Sequence, residues 1–283
     1  MFKEDTLDGK TILVTGGGSG LGLAMAGMFS NKGARIAICG RNEDKLKNAA
    51  ETIGASGNPV YTIPVDVRDY DAVSAMMDRI ESDFGVLNGL VNNAAGNFLF
   101  PSEDLSPNAF KTVVDIVLHG TFNCTQQFGK RLIAGGQSGS VLNIVTTYTQ
   151  TGSAFVMPSA CAKAGVLAMT NSLAAEWAEY NIRLNAIAPG PFPTEGAWTR
   201  LMPDPKIEEA YLRKIPAGRY GEHDELANLA VFLMSDMSPY ITGECVTIDG
   251  GERLMAGQFN SLMQIAPRKQ LKGFFAMMKP KKQ

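Results

Sequence analysis

Seven short apolar runs, each separated from the next by a longer stretch, constrain this chain more than any other feature. Thr11–Thr15, Ala34–Cys39, Val60–Val65, Leu90–Asn92, Ser140–Val145, Arg183–Ile187 and Val246–Ile248 have the length and β-branched content of strands. Most lack polar alternation, the mark of parallel strands covered on both faces. Between them Leu21–Lys32, Glu43–Ile53, Tyr70–Phe84, Pro107–Ile133, Ser159–Tyr180 and His223–Met234 read as helices. Such alternation builds βαβ units, so the expected fold is α/β: one doubly wound parallel sheet of about seven strands with helices on both faces. No repeat and no linker interrupts the pattern before about residue 250. A single domain over 1–251 is therefore expected, with an extension at 252–283. The proline- and glycine-rich stretch about 189–221, with a short helical piece near Ile207–Lys214, follows a strand's carboxyl end and reads as a small substrate lobe.

Composition narrows the classes of function. With 45% apolar and 19% charged residues, general disorder is excluded. The net charge of −2 gives the molecule as a whole no obvious nucleic-acid or membrane-surface partner. Cys39, Cys124, Cys161 and Cys245 are scattered, and only His119 and His223 stand beside them in number, so neither a disulfide framework nor a metal site is expected. The charge-free stretches Thr11–Asn31 and Leu132–Ala162 are broken by glycines and polar residues, so no membrane span is expected. The start of the chain carries charge at once and has no apolar signal region; its last residues, Lys-Lys-Gln, are not a peroxisomal address; a cytoplasmic location is the default expectation. The extension 252–283 holds seven basic residues against Glu252, a net +6 that leaves −8 for the rest. A solvated tail and a subunit-contact arm fit it equally, with its many Phe and Met residues favouring some docking.

Thr15-Gly16-Gly17-Gly18-Ser19-Gly20-Leu21-Gly22 follows an apolar strand and opens a helix. Glycine backbones there let a pyrophosphate approach amides at the helix start, so Gly16, Gly18, Ser19, Gly20, Leu21 and Gly22 are expected to hold a dinucleotide. The next strand ends in Gly40-Arg41 with no acid to take a ribose 2′-hydroxyl. Arg41 suits a 2′-phosphate, which points to NADP(H), against the plainer reading of a solvated loop arginine. Asp66, followed by Val67, ends the third strand, where its carboxylate is placed to accept from adenine or to cap the helix starting near Asp69. In Asn92-Asn93-Ala94-Ala95-Gly96 the small residues let the chain, at Asn93 and Ala94, lie close to a cofactor.

Together with Pro189-Gly190 and Asp249-Gly250-Gly251, these motifs resemble the short-chain dehydrogenase/reductase family in order and spacing, over about residues 8–251. That resemblance implies a Rossmann-like sheet, Pro189 and Gly190 at the cofactor, and a homotetramer built through the long helices. The usual Tyr-x3-Lys pair is altered: Ser159 stands four residues before Lys163 where the tyrosine belongs, Thr146 replaces the serine and Val117 the helix asparagine. The chain looks like the mitochondrial-type 2,4-dienoyl-CoA reductase branch, in which the working tyrosine lies eleven residues earlier, here Tyr148, and an asparagine follows NNAAG, here Asn97. The resemblance implies a fatty acyl-CoA thioester as substrate, with Tyr148 and Asn97 on the thioester oxygen. Lys163 would sit on the nicotinamide ribose, with Ser159 orienting cofactor or substrate and Phe98 and Arg200 in the substrate site. Arg213, Lys214, Arg219 and the tail lysines are further candidates for the coenzyme A phosphates. Rival readings are a 2-enoyl-CoA reductase, a carbonyl reductase and a non-catalytic dinucleotide-binding regulator. His119 reads as a packing or interface residue and His223 as a loop or helix start.

Overall fold

A computed structural model of the chain describes residues 2–55, 58–194, 198 and 204–278. Its sheet has seven strands, all parallel: β1 (Thr11–Thr15), β2 (Arg35–Gly40), β3 (Val60–Pro64), β4 (Gly89–Asn92), β5 (Gly139–Ile144), β6 (Ile182–Pro189) and β7 (Cys245–Ile248). The order β3-β2-β1-β4-β5-β6-β7 reverses between β1 and β4. There the chains leaving the two strands depart to opposite faces and open a crevice at the carboxyl edge.

Local chemistry sets the helix starts. Asn42 accepts from the amide of Lys45 at the head of α2 (Glu43–Gly54), and Asp69 from that of Ala72 at the head of α3 (Tyr70–Phe84). Ser106 does the same for Ala109 in α4 (Pro107–Val114). Each such cap contributes about 1 kcal/mol. On one face of the sheet α1 (Gly20–Ser30) buries Met25 and Phe29 against Ile12, Val14 and Ile36. The other face buries Leu13, Leu90 and Val141 beneath Met76, Ile80, Phe128 and Trp177. Both faces are sealed, which explains the absence of polar alternation in the strands.

The long helix expected over Pro107–Ile133 is interrupted. After α4 one π turn, Asp115–His119, precedes α5 (Gly120–Gly135). Val117 is buried in that turn, and the Thr121 hydroxyl donates to its carbonyl at 2.6 Å. Gly120 lies so close to Val67 that a Cβ would stand 2.5 Å from Val67 Cγ2. The turn's extra residue keeps both the Val117 side and this approach in register, and no apolar period signals it.

After β5 come the short α6 (Tyr148–Thr151) and α7 (Met157–Glu176), which begins two residues earlier than expected and ends before a 3-10 turn, Ala178–Tyr180. The lobe contains α8 (Pro205–Leu212), shifted two residues from its expected place. Trp198 stacks edge-on against Tyr220 at 4.7 Å and donates to the Glu208 carboxylate at 3.1 Å, while Tyr220 donates to the Glu208 carbonyl at 3.0 Å. α9 (His223–Met234) then packs along α1. Beyond β7 follow a 3-10 segment Glu252–Ala256, α10 (Leu262–Ile265) and α11 (Arg268–Met277), with no fully buried residue.

Candidate functional site

The turn after β1 is held by its neighbour strand. Thr15 Oγ1 accepts from the amides of Asn93 and Ala94, both at 3.0 Å, and Asn93 Nδ2 donates to the carbonyls of Thr15 and Gly16. Gly16 and Gly20 have φ of +65° and +55°, and a Cβ on Gly22 would stand 2.5 Å from both the Gly16 carbonyl oxygen and Asn93 Nδ2. Only hydrogen fits at Gly22. Gly16, Ser19, Gly20, Leu21, Arg41, Asp66, Val67, Asn93 and Ala94 line a recess of about 410 Å³. A concave, glycine-floored recess at a helix start fits a dinucleotide's phosphates. Gly18 lies beside Lys45 and Leu46, outside that wall, and Gly22 supports the recess from beneath.

Asp66 does not cap α3; Asp69 does. The Asp66 carboxylate is instead gripped by the Arg68 guanidinium, with Nη2 to Oδ2 at 2.6 Å and Nε at 3.0 Å to both oxygens. That grip holds the carboxyl below its usual range. Arg41, exposed across the recess, gives this end a cation for a phosphate and an anion for an amino group.

Four residues named in advance converge at the other end. Asn97 Nδ2 donates to the Tyr148 hydroxyl at 3.3 Å, and Tyr148 Oη lies 3.1 Å from Ser159 Oγ. Asn97 Oδ1 accepts from the amide of Phe98 at 2.9 Å, which fixes which way the carboxamide faces. Lys163, one turn along α7 from Ser159, is buried and donates through Nζ to the carbonyl of Ile144 at the end of β5. Burial pulls its ammonium down to about 8. Asn97, Tyr148, Ser159, Lys163, Pro189 and Gly190 all line a cleft of about 310 Å³, which meets the recess at Leu21, Asn93, Ala95 and Thr194.

Other expected residues lie elsewhere. Phe98 packs against the buried Val113–Val117 cluster and is not part of the cleft wall. Arg200, Lys279, Lys281 and Lys282 lie outside the described residues. Arg213 pairs with Glu209, Arg219 is paired bidentately with Glu225, and Lys214 lines a groove shared with Lys206, Ile207 and Tyr211 rather than the cleft. His119 is exposed and pairs with Asp115; His223 opens α9, its Nε2 2.7 Å from the Pro193 carbonyl.

Sequence reasoning missed the supports. Asn92 Nδ2 donates to Asn143 Oδ1 and to Thr125 Oγ1, and Asn143 Nδ2 donates to Thr170 Oγ1, so a buried polar ladder ties β4, β5, α5 and α7 behind the site. Tyr211 of α8 walls the cleft and donates to Glu252 at 3.2 Å; the Thr147 hydroxyl also hydrogen-bonds to Glu252. Burial raises the Glu252 carboxyl despite these donors. Arg68, two residues past Asp66, was the one support with a local signal.

The family model described as enoyl-(acyl carrier protein) reductase matches residues 16–252. An uncharacterized oxidoreductase of Caenorhabditis elegans is 46% identical over 88% of this chain and 80% of its own length. A probable 2,4-dienoyl-CoA reductase of Bacillus subtilis is 42% identical over 88% of this chain and 98% of its own. A crystal structure of a short chain dehydrogenase from Bacillus anthracis superposes with a TM-score of 0.79 at 44% identity, covering 86% of this chain and 96% of that one. The chain belongs to the short-chain dehydrogenase/reductase family of oxidoreductases, whose members use a nicotinamide cofactor. Among the described residues no helix is long and apolar enough to cross a membrane.

Proposed function

We propose that this chain is an NADPH-dependent 2,4-dienoyl-CoA reductase that forms a 3-enoyl-CoA during breakdown of unsaturated fatty acids. The observation that carries the reading is the contact chain Asn97–Tyr148–Ser159, beside buried Lys163 in the cleft that opens onto the dinucleotide recess. When bound, the reduced nicotinamide supplies the hydride that reaches the δ carbon of the thioester. Electrons then shift to the thioester oxygen, and a proton added at the α carbon leaves the remaining double bond between the β and γ carbons.

What the protein must do is hold that oxygen while it gains charge. Tyr148 Oη accepts from Asn97 and, in one hydrogen arrangement, from Ser159, leaving its own proton free for the substrate oxygen. Asn97 keeps a second N–H for the same atom. Two donors fixed before reaction need no reorganisation as charge develops, and each contributes about 2.7–4 kcal/mol in comparable oxyanion sites. Lys163 spends one donor on Ile144 and keeps two for ribose hydroxyls. Its positive charge also favours electron flow toward the oxygen. The α-carbon proton comes from Tyr148 or from water.

Arg41 supports NADPH over NADH: an exposed guanidinium at the adenosine end rewards a 2′-phosphate. The same reading carries an acyl-CoA substrate, a homotetramer and a cytoplasmic location. The test is NADPH oxidation with a dienoyl-CoA, a 2-enoyl-CoA and a ketone side by side, with the product's double bond located. Turnover of the monoene in preference to the diene would favour the 2-enoyl-CoA reductase reading. NADPH binding without turnover of any acyl-CoA would favour a non-catalytic regulator.

A further inference from the structure

Beyond Glu252, which braces the cleft, the reaction leaves the C-terminal segment unused. It carries net +6 from residue 252 onward, while the remainder carries −8. α11 carries an apolar stripe at helical spacing. Leu271, Phe274 and Met278 recur at i, i+3 and i+7 with Phe275 beside them, and Arg268, Lys272 and Lys269 form a basic flank along one edge of that stripe, Lys269 farthest from it. Phe274 and Phe275 form a tilted pair with ring centroids 5.7 Å apart, yet are 53% and 47% exposed, and Met278 is 65% exposed. Among the described residues the stripe is left half-exposed, Leu271 being its most sheltered member.

The family core is complete without it. The family model ends at residue 252, and the Bacillus subtilis relative is matched over 98% of its length by only 88% of this chain. The fold, the dinucleotide recess and the Asn97–Tyr148–Ser159 contacts therefore do not require the segment. A short helix with an apolar stripe edged by basic residues, at low overall hydropathy, is suited to lie in the interface of a bilayer, the long Lys and Arg side chains reaching up to the headgroups. Its Phe and Leu side chains enter the acyl boundary while Lys and Arg meet anionic headgroups.

We propose that the C-terminal segment docks this protein on an anionic lipid surface through α11. Lipid satisfies the stripe and its basic flank at once, supplying apolar area and negative charge in one plane. A second copy of this chain offers its −8 charge, but a contact of that kind would have to find an apolar groove as well. The segment starts beside the proposed active site: Arg253 donates to Gln150 of α6 at 3.3 Å, next to the Glu252 contacts. Docking therefore holds the mouth of the cleft near the surface into which fatty acyl chains partition.

Flotation of the full chain with phosphatidylcholine vesicles, with and without phosphatidylserine, tests the proposal. Binding is expected only with phosphatidylserine and is lost as salt rises. Converting Arg268, Lys269 and Lys272 to Gln is expected to weaken partition on the order of 100-fold, from about 1 kcal/mol per basic residue at an anionic surface. Phe274→Ser with Phe275→Ser is expected to abolish flotation while leaving turnover of the acyl-CoA in solution unchanged. Equal binding to neutral vesicles, or unaltered flotation of either variant, overturns the proposal. So does a change of sedimentation coefficient in the double serine variant with no loss of flotation, which would assign the stripe to a second copy. Vesicle binding is read without turnover, so it stands or falls apart from the reaction proposed above.

Discussion

Removing the Tyr148 hydroxyl tests the core of the proposed chemistry. Tyr148→Phe keeps the ring and deletes one oxygen, leaving Asn97 Nδ2 and Ser159 Oγ without the partner they reach at 3.3 and 3.1 Å. Both groups border an open cleft, so water replaces the lost partner and the melting temperature should barely move. The rate should not be spared. Loss of one preorganised donor lowers kcat by about 10²–10³, or about 2.7–4 kcal/mol. Asn97→Ala should fall in the same range, with an added loss because the Phe98 amide gives up its acceptor. If both donors serve one oxygen, the double variant should lose far less than the product of the single losses, since either deletion already disorders the other. The assay is single-turnover NADPH oxidation with a dienoyl-CoA, with cofactor affinity measured separately. Losses that multiply independently, or a Tyr148→Phe rate within about threefold of the parent, would refute the shared-oxygen argument.

Further outcomes follow from other parts of the site. Lys163 titrates near 8 because it is buried, below its unfolded value of 10.5, so the folded state carries a cost below about pH 8 that fades as pH rises toward 10.5. Lys163→Met should therefore raise the melting temperature at pH 7, with the gain shrinking toward pH 10, while abolishing turnover. Because a polyanionic cofactor favours the ammonium, NADPH binding at pH 8 should take up protons, visible as a binding heat that varies with buffer ionisation enthalpy. Arg41→Ala should weaken NADPH by about 10- to 100-fold, the worth of a charge-assisted hydrogen bond, and leave NADH nearly unchanged. Gly22→Ala forces a Cβ to 2.5 Å from the Gly16 carbonyl and should cost about 1–3 kcal/mol in stability along with dinucleotide binding, read by denaturant unfolding and calorimetry.

The sheet was legible because its signal is local. Each strand is a short apolar run, and a parallel sheet sealed on both faces leaves no competing pattern. Glycines at 16, 20 and 22 announced themselves because two need positive φ and the third has no room for a side chain. The π turn at Asp115–His119 was not legible: one extra residue leaves the apolar spacing nearly intact, and its cause, the approach of Gly120 to Val67, is tertiary. Phe98, expected at the substrate, lies half-buried against the Val113–Val117 cluster, a packing partner set by tertiary contact that no local pattern announces. Tyr211 and Glu252 are separated by 41 residues and share no motif, so only folding shows them as partners.

That last pairing has a mechanical consequence. The Glu252 carboxylate is grasped from one side by the lobe and from the other by the residue just before Tyr148. Any outward swing of α8 must first pull Tyr211 off this anchor, which stands against the residue preceding Tyr148. On the proposed reading, admission of an acyl-CoA and the setting of the Tyr148 region meet at a single side chain, Glu252.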